Sequence, residues 1–248
     1  MEHRVKTFFG RRKGRALSNV KEELLSNRMK EFELALPLGA SWFPKAHGDP
    51  CSCAAPMRPL DARKLGKRQG AGGAKLTLEI GYGSGEHLVE YAKKRPDEFF
   101  IGTEAFENGN AAMVRALVES GLENVKIYPH DANLLFPLLP DSAFDRIFIL
   151  YPDPWPKSRH EERRMISPER LKTFARLLKK GGRLLVVSDH PVYIAHTLRV
   201  LGENGLFEWT ALSSHDFARP PEDWETTRYE QKALREGRLP IYLEFVKK

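Results

Sequence analysis

Cysteine is almost missing from this chain: two of 248 residues, Cys51 and Cys53, with one serine between them. That separation is too short for an ordinary disulfide, and two thiols are too few for a structural zinc site. A reducing, cytoplasmic setting is therefore expected. No apolar run approaches the ~18 residues that a membrane span needs, so no membrane partner is expected. Residues 1–6 lead into further charge and lack the apolar core of a signal peptide. No histidines, cysteines or acids recur at metal-ligand spacing, so no metal is expected, and no serine or cysteine stands in a nucleophile elbow, which argues against a hydrolytic triad. No internal repeat is found.

Positive charge is what the chain has in excess. Lys and Arg number 40 against 33 Asp and Glu, a formal +7, which favours an anionic partner. The excess is clustered. Residues 4–15 carry six Lys/Arg and no acid, and a second cluster follows in Lys157, Arg159, His160, Arg163 and Arg164.

Residues 1–43 read as a basic arm followed by a helix near 20–34, with Ser18 placed to cap it. Residues 44–74, rich in Pro, Gly, Ala and Lys/Arg, read as a flexible insertion or linker. From 75 to 248 strands and helices alternate, the pattern of a parallel sheet covered on both faces. Strands are expected at 76–80, 99–102, 125–128, 147–150 and 183–187, with closing strands at 207–212 and 241–245. Helices are expected at 86–94, 108–119, 168–178, 192–201 and 225–237. Lys179-Lys180-Gly181-Gly182 is expected to end the third of these with cations and a glycine stop.

Glu79-Ile80-Gly81-Tyr82-Gly83-Ser84-Gly85 follows the first strand and opens a helix, the context in which glycines let a ligand approach the backbone. Its third glycine comes one residue earlier than in the GxGxxG of dinucleotide folds. Glu104 ends the second strand, where an acid takes ribose hydroxyls, and Asp131, beside Ala132, follows the third within reach of an adenine amino group. With Glu79 just before the turn, acids at the ends of three successive strands suit a ligand with a cationic end, a ribose and an adenine. S-adenosylmethionine has all three, whereas a pyrophosphate would not welcome Glu79.

The strand at 147–150 runs into Tyr151-Pro152-Asp153-Pro154-Trp155-Pro156-Lys157. Three prolines in five residues forbid the strand to continue, leaving a stiff loop at the carboxyl end of a central strand. Asp189 follows the fifth strand at the same sheet edge.

These residues together resemble the bacterial tRNA (guanine-N7)-methyltransferase family, within the class I S-adenosylmethionine-dependent methyltransferases. The resemblance rests on residues 9–15, 78–85, 102–104, 130–132, 188–189 and 227–230, and above all on 152–160 with Arg163 and Arg164. It covers almost the whole chain outside 44–74. The fold it implies is Rossmann-like: a seven-stranded, mostly parallel sheet with helices on both faces, plus the basic N-terminal arm. By the resemblance, Glu79, Gly81, Gly83, Glu104, Asp131, Ala132 and Asp153 would bind the cofactor, S-adenosylmethionine, and Asp153 would be catalytic. Lys157, Asp189, Thr227, Arg228, Tyr229 and Glu230 would hold the substrate. Arg11, Arg12, Arg159, His160, Arg163 and Arg164 would touch tRNA, on a monomer or homodimer. Two features depart from the family pattern: Tyr82 stands where many relatives carry Phe or Cys, and the 44–74 segment is long. Rival readings are a class I methyltransferase for another nucleic-acid position or for a small nucleotide, and an idle RNA-binding protein, the latter disfavoured by the intact glycine turn and acid set.

Overall fold

The computed structural model describes residues 10–34 and 74–248. The expected insertion lies, but for Ala74, outside the described residues, as does the start of the basic arm.

Seven strands form one sheet: β1 (Leu76–Ile80), β2 (Phe99–Thr103), β3 (Val125–Tyr128), β4 (Phe144–Leu150), β5 (Leu178–Ser188), β6 (Phe207–Trp209) and β7 (Ile241–Lys247). Their order is β3-β2-β1-β4-β5-β7-β6. The first five run parallel, and β7 is antiparallel to both neighbours. Strand order reverses between β1 and β4, and such a switch point opens a crevice at the carboxyl ends of the strands.

The helices are α1 (Asn19–Phe32), α2 (Glu86–Lys93), α3 (Glu107–Ser120), α4 (Ala132–Leu135), α5 (Pro168–Leu177), α6 (Pro191–Asn204), α7 (Ser214–Ala218) and α8 (Arg228–Arg235). Side chains alternate across each strand. On β1, Leu76, Leu78 and Ile80 enter one apolar layer with Phe144, Phe174 and Tyr193, while the layer on the opposite face is built around Leu88, Phe100, Met113, Leu117 and Phe148. Full burial of each such side chain stabilises the fold by roughly 1.5–3 kcal/mol.

α1 lies on α3 and reaches this second layer through Phe32, with Leu25 and Met29 packed against it. Ser18 occupies the cap position, but its hydroxyl makes no cap bond; its carbonyl accepts from Lys21 and Glu22 instead. A second expectation is also corrected. Residues 179–182 do not end a helix. α5 stops at Leu177, capped at its start by Ser167, and β5 begins at Leu178. The β4–β5 register then jumps from Phe144↔Leu178 to Arg146↔Arg183, so the double glycine forms an irregularity within the strand, with Gly181 at φ +74°. Lys179 pairs with Asp145 at 2.8 Å rather than with a helix end. The short helices α4 and α7 are additions to the sequence reading.

Candidate active site

The crevice at the switch point is a cleft of about 450 Å³. Gly81 and Gly83 line it on one side, and the glycine turn is tied down by Gly81 and Tyr82 N–H groups donating to the Thr103 carbonyl. Glu104 lies in the same wall. Its Oε2 accepts from the Gly83 amide and its Oε1 from the Phe106 amide, both at 2.9 Å, so the acid bridges the turn and the start of α3. Burial raises its pKa above the ordinary carboxylate value against the pull of these amides, and the charge of Asp153 adds to the rise.

Gly109 makes this approach possible: a Cβ there would sit 2.2 Å from the Gly83 carbonyl oxygen. Gly85, the early third glycine, stands at φ +87° beside Met113, and a Cβ would fall 2.1 Å from that sulfur. The offset spacing thus serves packing of α2 against α3. Gly109 was missed because a lone glycine in a helical stretch carries no such signal.

Asp131 is buried at the head of α4. Its Oδ1 accepts from the backbone and side-chain nitrogens of Asn133, at 2.9 and 2.8 Å. Arg170 of α5 donates to the side-chain oxygen Oδ1 of Asn133 at 3.1 Å. Asp131, Asn133 and Arg170 all line the cleft, whereas Ala132 is buried behind it. Asn133 and Arg170 escaped the sequence reading because neither stands in a motif and Arg170 meets Asn133 from 37 positions away.

Residues 151–157 form the facing rim. Tyr151 and Trp155 hold left-handed backbones, φ +48° and +41°, on either side of Pro152-Asp153-Pro154. Such strain costs on the order of 1–3 kcal/mol per residue and persists only where the surroundings impose it. Asp153 is exposed and Trp155 half-buried in the rim; the Arg163 guanidinium lies 5.0 Å from the Trp155 ring. Lys157, Arg159 and His160 are carried outward by a tight helical turn, Ser158–Arg163, with His160 edge-on to Trp155. Loss of solvent, then the charges of Arg163, Arg159 and Lys157, hold His160 below the ordinary histidine pKa.

Arg164 does not share that position. It is 4% exposed, and its guanidinium donates to the carbonyls of Pro154 and Trp155 from beneath. The expected RNA contact at Arg164 is therefore corrected: its charge is spent stapling the loop.

The expected substrate segment divides likewise. Tyr229 lines the cleft, stacked on Tyr151 at 6.4 Å, and Arg228 is exposed beside Glu86. Thr227 is buried as the cap of α8, its hydroxyl accepting from the Glu230 amide. Glu230 is 5% exposed with both oxygens engaged, by Trp224 Nε1 at 2.6 Å and the Tyr242 hydroxyl at 2.5 Å. Neither Thr227 nor Glu230 faces the cleft. Asp189 pairs with Arg238 at 2.6 Å.

Glu79 is also placed differently from its expected cofactor contact. It is still inside the ladder, opposite Gly102 and Phe148, so strand alternation turns it away from the cleft lining. Its Oε2 meets His87 Nδ1 at 2.7 Å, with both residues buried. In the arm, Gly10 and Arg11 line the cleft, while the Arg12 carbonyl accepts from the Glu107 amide and Asn108 brackets Gly14 and Arg15. Among the described residues no group of side chains could hold a metal, and no helix is long and apolar enough to cross a membrane.

Sheet order, glycine turn and strand-end acids define a class I methyltransferase fold. Solved structures agree on that fold: the 16S rRNA methyltransferase KamB superposes with a TM-score of 0.54 at 18% identity, covering 77% of this chain and 95% of that one. TrmN from Thermus thermophilus gives 0.52 at 20% identity, over 75% of this chain and 47% of its own. Residues 73–242 match the family described as "Putative methyltransferase". A tRNA (guanine-N(7)-)-methyltransferase of Rhodospirillum rubrum is 42% identical over 96% of this chain and 86% of its own. That of Roseobacter denitrificans is 40% identical over 98% and 96%. The chain belongs to the bacterial tRNA (guanine-N7)-methyltransferase family.

Proposed function

We propose that this protein transfers the methyl group of S-adenosylmethionine to N7 of a variable-loop guanosine in tRNA. The observation that carries the reading is the strained 151–157 rim, which sets Asp153 and Trp155 across one cleft from Glu104 and Asp131.

The cleft fits the cofactor by donor chemistry. Glu104 accepts ribose hydroxyls, Asp131 accepts from the adenine amino group, and the exposed Gly81 lets the ligand reach the backbone. Ala132 and Glu79 lie behind this wall and support it, Glu79 through its bond to His87 of the following helix. When bound, S-adenosylmethionine supplies an electrophilic methyl group on a cationic sulfur.

Guanine N7 carries a free lone pair, so no residue has to remove a proton before it reacts. Alkylation leaves the purine cationic, and the protein's work is orientation and electrostatic stabilisation. Asp153 does that work as a fixed carboxylate at the rim, and either it or Asp189 accepts from guanine N1–H and the exocyclic amine. Lys157 donates to guanine O6 or to a phosphate, and Arg228 and Tyr229 close the substrate side. Trp155 offers a face for a base drawn out of the folded tRNA. Arg11, Arg12, Arg159, His160 and Arg163 add phosphate contacts and a salt-dependent affinity. The chain is divided as an arm at 1–43, an insertion at 44–74 and the catalytic domain at 75–248, working in the cytoplasm as a monomer or homodimer.

The test is incubation with labelled S-adenosylmethionine and unmodified tRNA transcripts, half of them lacking the variable-loop guanosine, followed by digestion to nucleosides. Label is expected in 7-methylguanosine and only from transcripts that keep that guanosine. Label in another nucleoside overturns the substrate; no label, with the cofactor bound, overturns the enzyme reading.

A further inference from the structure

We infer that Glu230 is a positioning residue for the loop that carries Asp153, rather than a contact of the RNA; this rests on the reading of that loop as catalytic. Two neutral donors from different elements converge on its carboxylate, Trp224 Nε1 at 2.6 Å and the Tyr242 hydroxyl of β7 at 2.5 Å. Charge-assisted bonds of this kind are the strong ones, and they offset the burial of the carboxylate. Glu230 leaves no atom in the cleft lining, whereas its neighbour Tyr229 does.

What this carboxylate holds leads to both halves of the cleft. The Tyr151 hydroxyl is buried and faces Glu230 and the Tyr242 hydroxyl. Burial first, then the Glu230 charge, raises the Tyr151 pKa and keeps the phenol protonated. Tyr151 is the left-handed residue on which the chain enters the loop, its amide bonded to the Val187 carbonyl at 2.8 Å. A strained residue stays in place when its side chain is wedged, and the wedge here is the surface that Glu230 and Tyr242 make together. On the other side the Trp224 ring stands 4.8 Å from the His87 ring, and His87 carries the bond to Glu79 under the glycine turn.

The test compares Glu230→Gln, which leaves one of the two donors without an acceptor, with Tyr242→Phe, which removes one donor and spares the acid. Each is read by tRNA kinetics and by amide hydrogen exchange of the free protein over residues 148–157. Each is expected to lower kcat about tenfold, the effect of one lost hydrogen bond, with the tRNA KM held within about twofold. The double variant is expected to lose little more than either single one. Exchange at the Tyr151 amide is expected to quicken in both, with β1 unchanged. A raised tRNA KM in Glu230→Gln beside wild-type behaviour of Tyr242→Phe overturns the inference and makes Glu230 a substrate contact. Unchanged Tyr151 exchange in both variants overturns it as well. If Glu230→Gln does not fold, Tyr242→Phe and Trp224→Phe carry the same comparison. A wild-type protein that makes no 7-methylguanosine overturns the functional reading alone, and the exchange data still decide the positioning role.

Discussion

The two walls of the cleft are held by opposite means. On the β1–β3 side the backbone holds the side chains: amides of Gly83 and Phe106 grip Glu104, and the amide of Asn133 grips Asp131. On the β4–β5 side the side chains hold the backbone: Arg164 grips the carbonyls of Pro154 and Trp155, and Glu230 gathers the aromatic residues beside Tyr151. On the proposed function, the first arrangement presents a fixed carboxylate to the cofactor, and the second holds the rim that meets tRNA in an otherwise unfavourable conformation.

The largest expected effect lies on the rim. Asp153→Ala is expected to cut methyl transfer by at least about a hundredfold, the scale of a lost electrostatic contact in a transition state. As Asp153 is exposed, denaturant unfolding should move by less than about 0.5 kcal/mol. Wild-type turnover in a folded Asp153→Ala protein would break the comparison outright.

On the opposite wall, Glu104→Ala is expected to weaken cofactor binding, measured without RNA, by about 10–100-fold, the range for bonds to a charged group. The pH dependence sharpens this. Because burial raises the Glu104 pKa, the carboxylate takes up its proton at a higher pH than an exposed glutamate does. Cofactor affinity should therefore start to fall earlier on acidification, and Glu104→Gln should lose that dependence. The stability contribution has the opposite sign: the folded state holds this proton more tightly than the unfolded chain, so the contribution is present at low pH and is lost as pH rises through the folded pKa. Asp153→Asn removes a neighbouring negative charge and should move the fall in affinity to lower pH.

A smaller effect separates two neighbouring arginines. Arg164→Ala is expected to cost about 1–3 kcal/mol of stability, by leaving two carbonyls of a strained loop unpaired. Arg159→Ala should leave stability alone and reduce the slope of log affinity against log salt by about 0.7–0.9, one phosphate contact. The same change in both readouts for both variants would erase the distinction between staple and RNA contact.

Most of the sheet was legible in the sequence, because a buried parallel strand announces itself between turn signals either as an apolar run, as at 147–150, or as alternating apolar residues, as at 76–80 and 125–128. Glu104 and Asp131 were legible for a related reason: they stand immediately after strands, where position alone decides what a side chain faces. Glu79 misled because it sits one pleat earlier, and one residue of phase sends a side chain to the other face. Residues 179–182 misled because two lysines and two glycines after a helical pattern satisfy a helix-stop rule, while the partner that draws Lys179 away, Asp145, lies across the sheet. Glu230 and Arg164 share that kind of error: each sits in a motif of polar residues, but Tyr242 on another strand claims Glu230, and the carbonyl of Trp155, nine positions back, claims Arg164. Thr227 differs, because it caps its own helix through the Glu230 amide three residues on, a use that a local Thr-x-x-Glu pattern allows.

The position of β7 has a consequence for the newly made chain. It is the last strand in chain order, yet it lies inside the sheet, with β5 on one side and β6 on the other. Until residues 241–247 have left the ribosome, β5 lacks one neighbour and β6 has none. Tyr242, the donor that reaches Glu230, arrives on that same strand. A nascent or prematurely stopped chain can therefore carry the glycine turn, Glu104 and Asp131 and still lack the support beneath the rim, so catalytic competence should appear only when synthesis of the fold is complete.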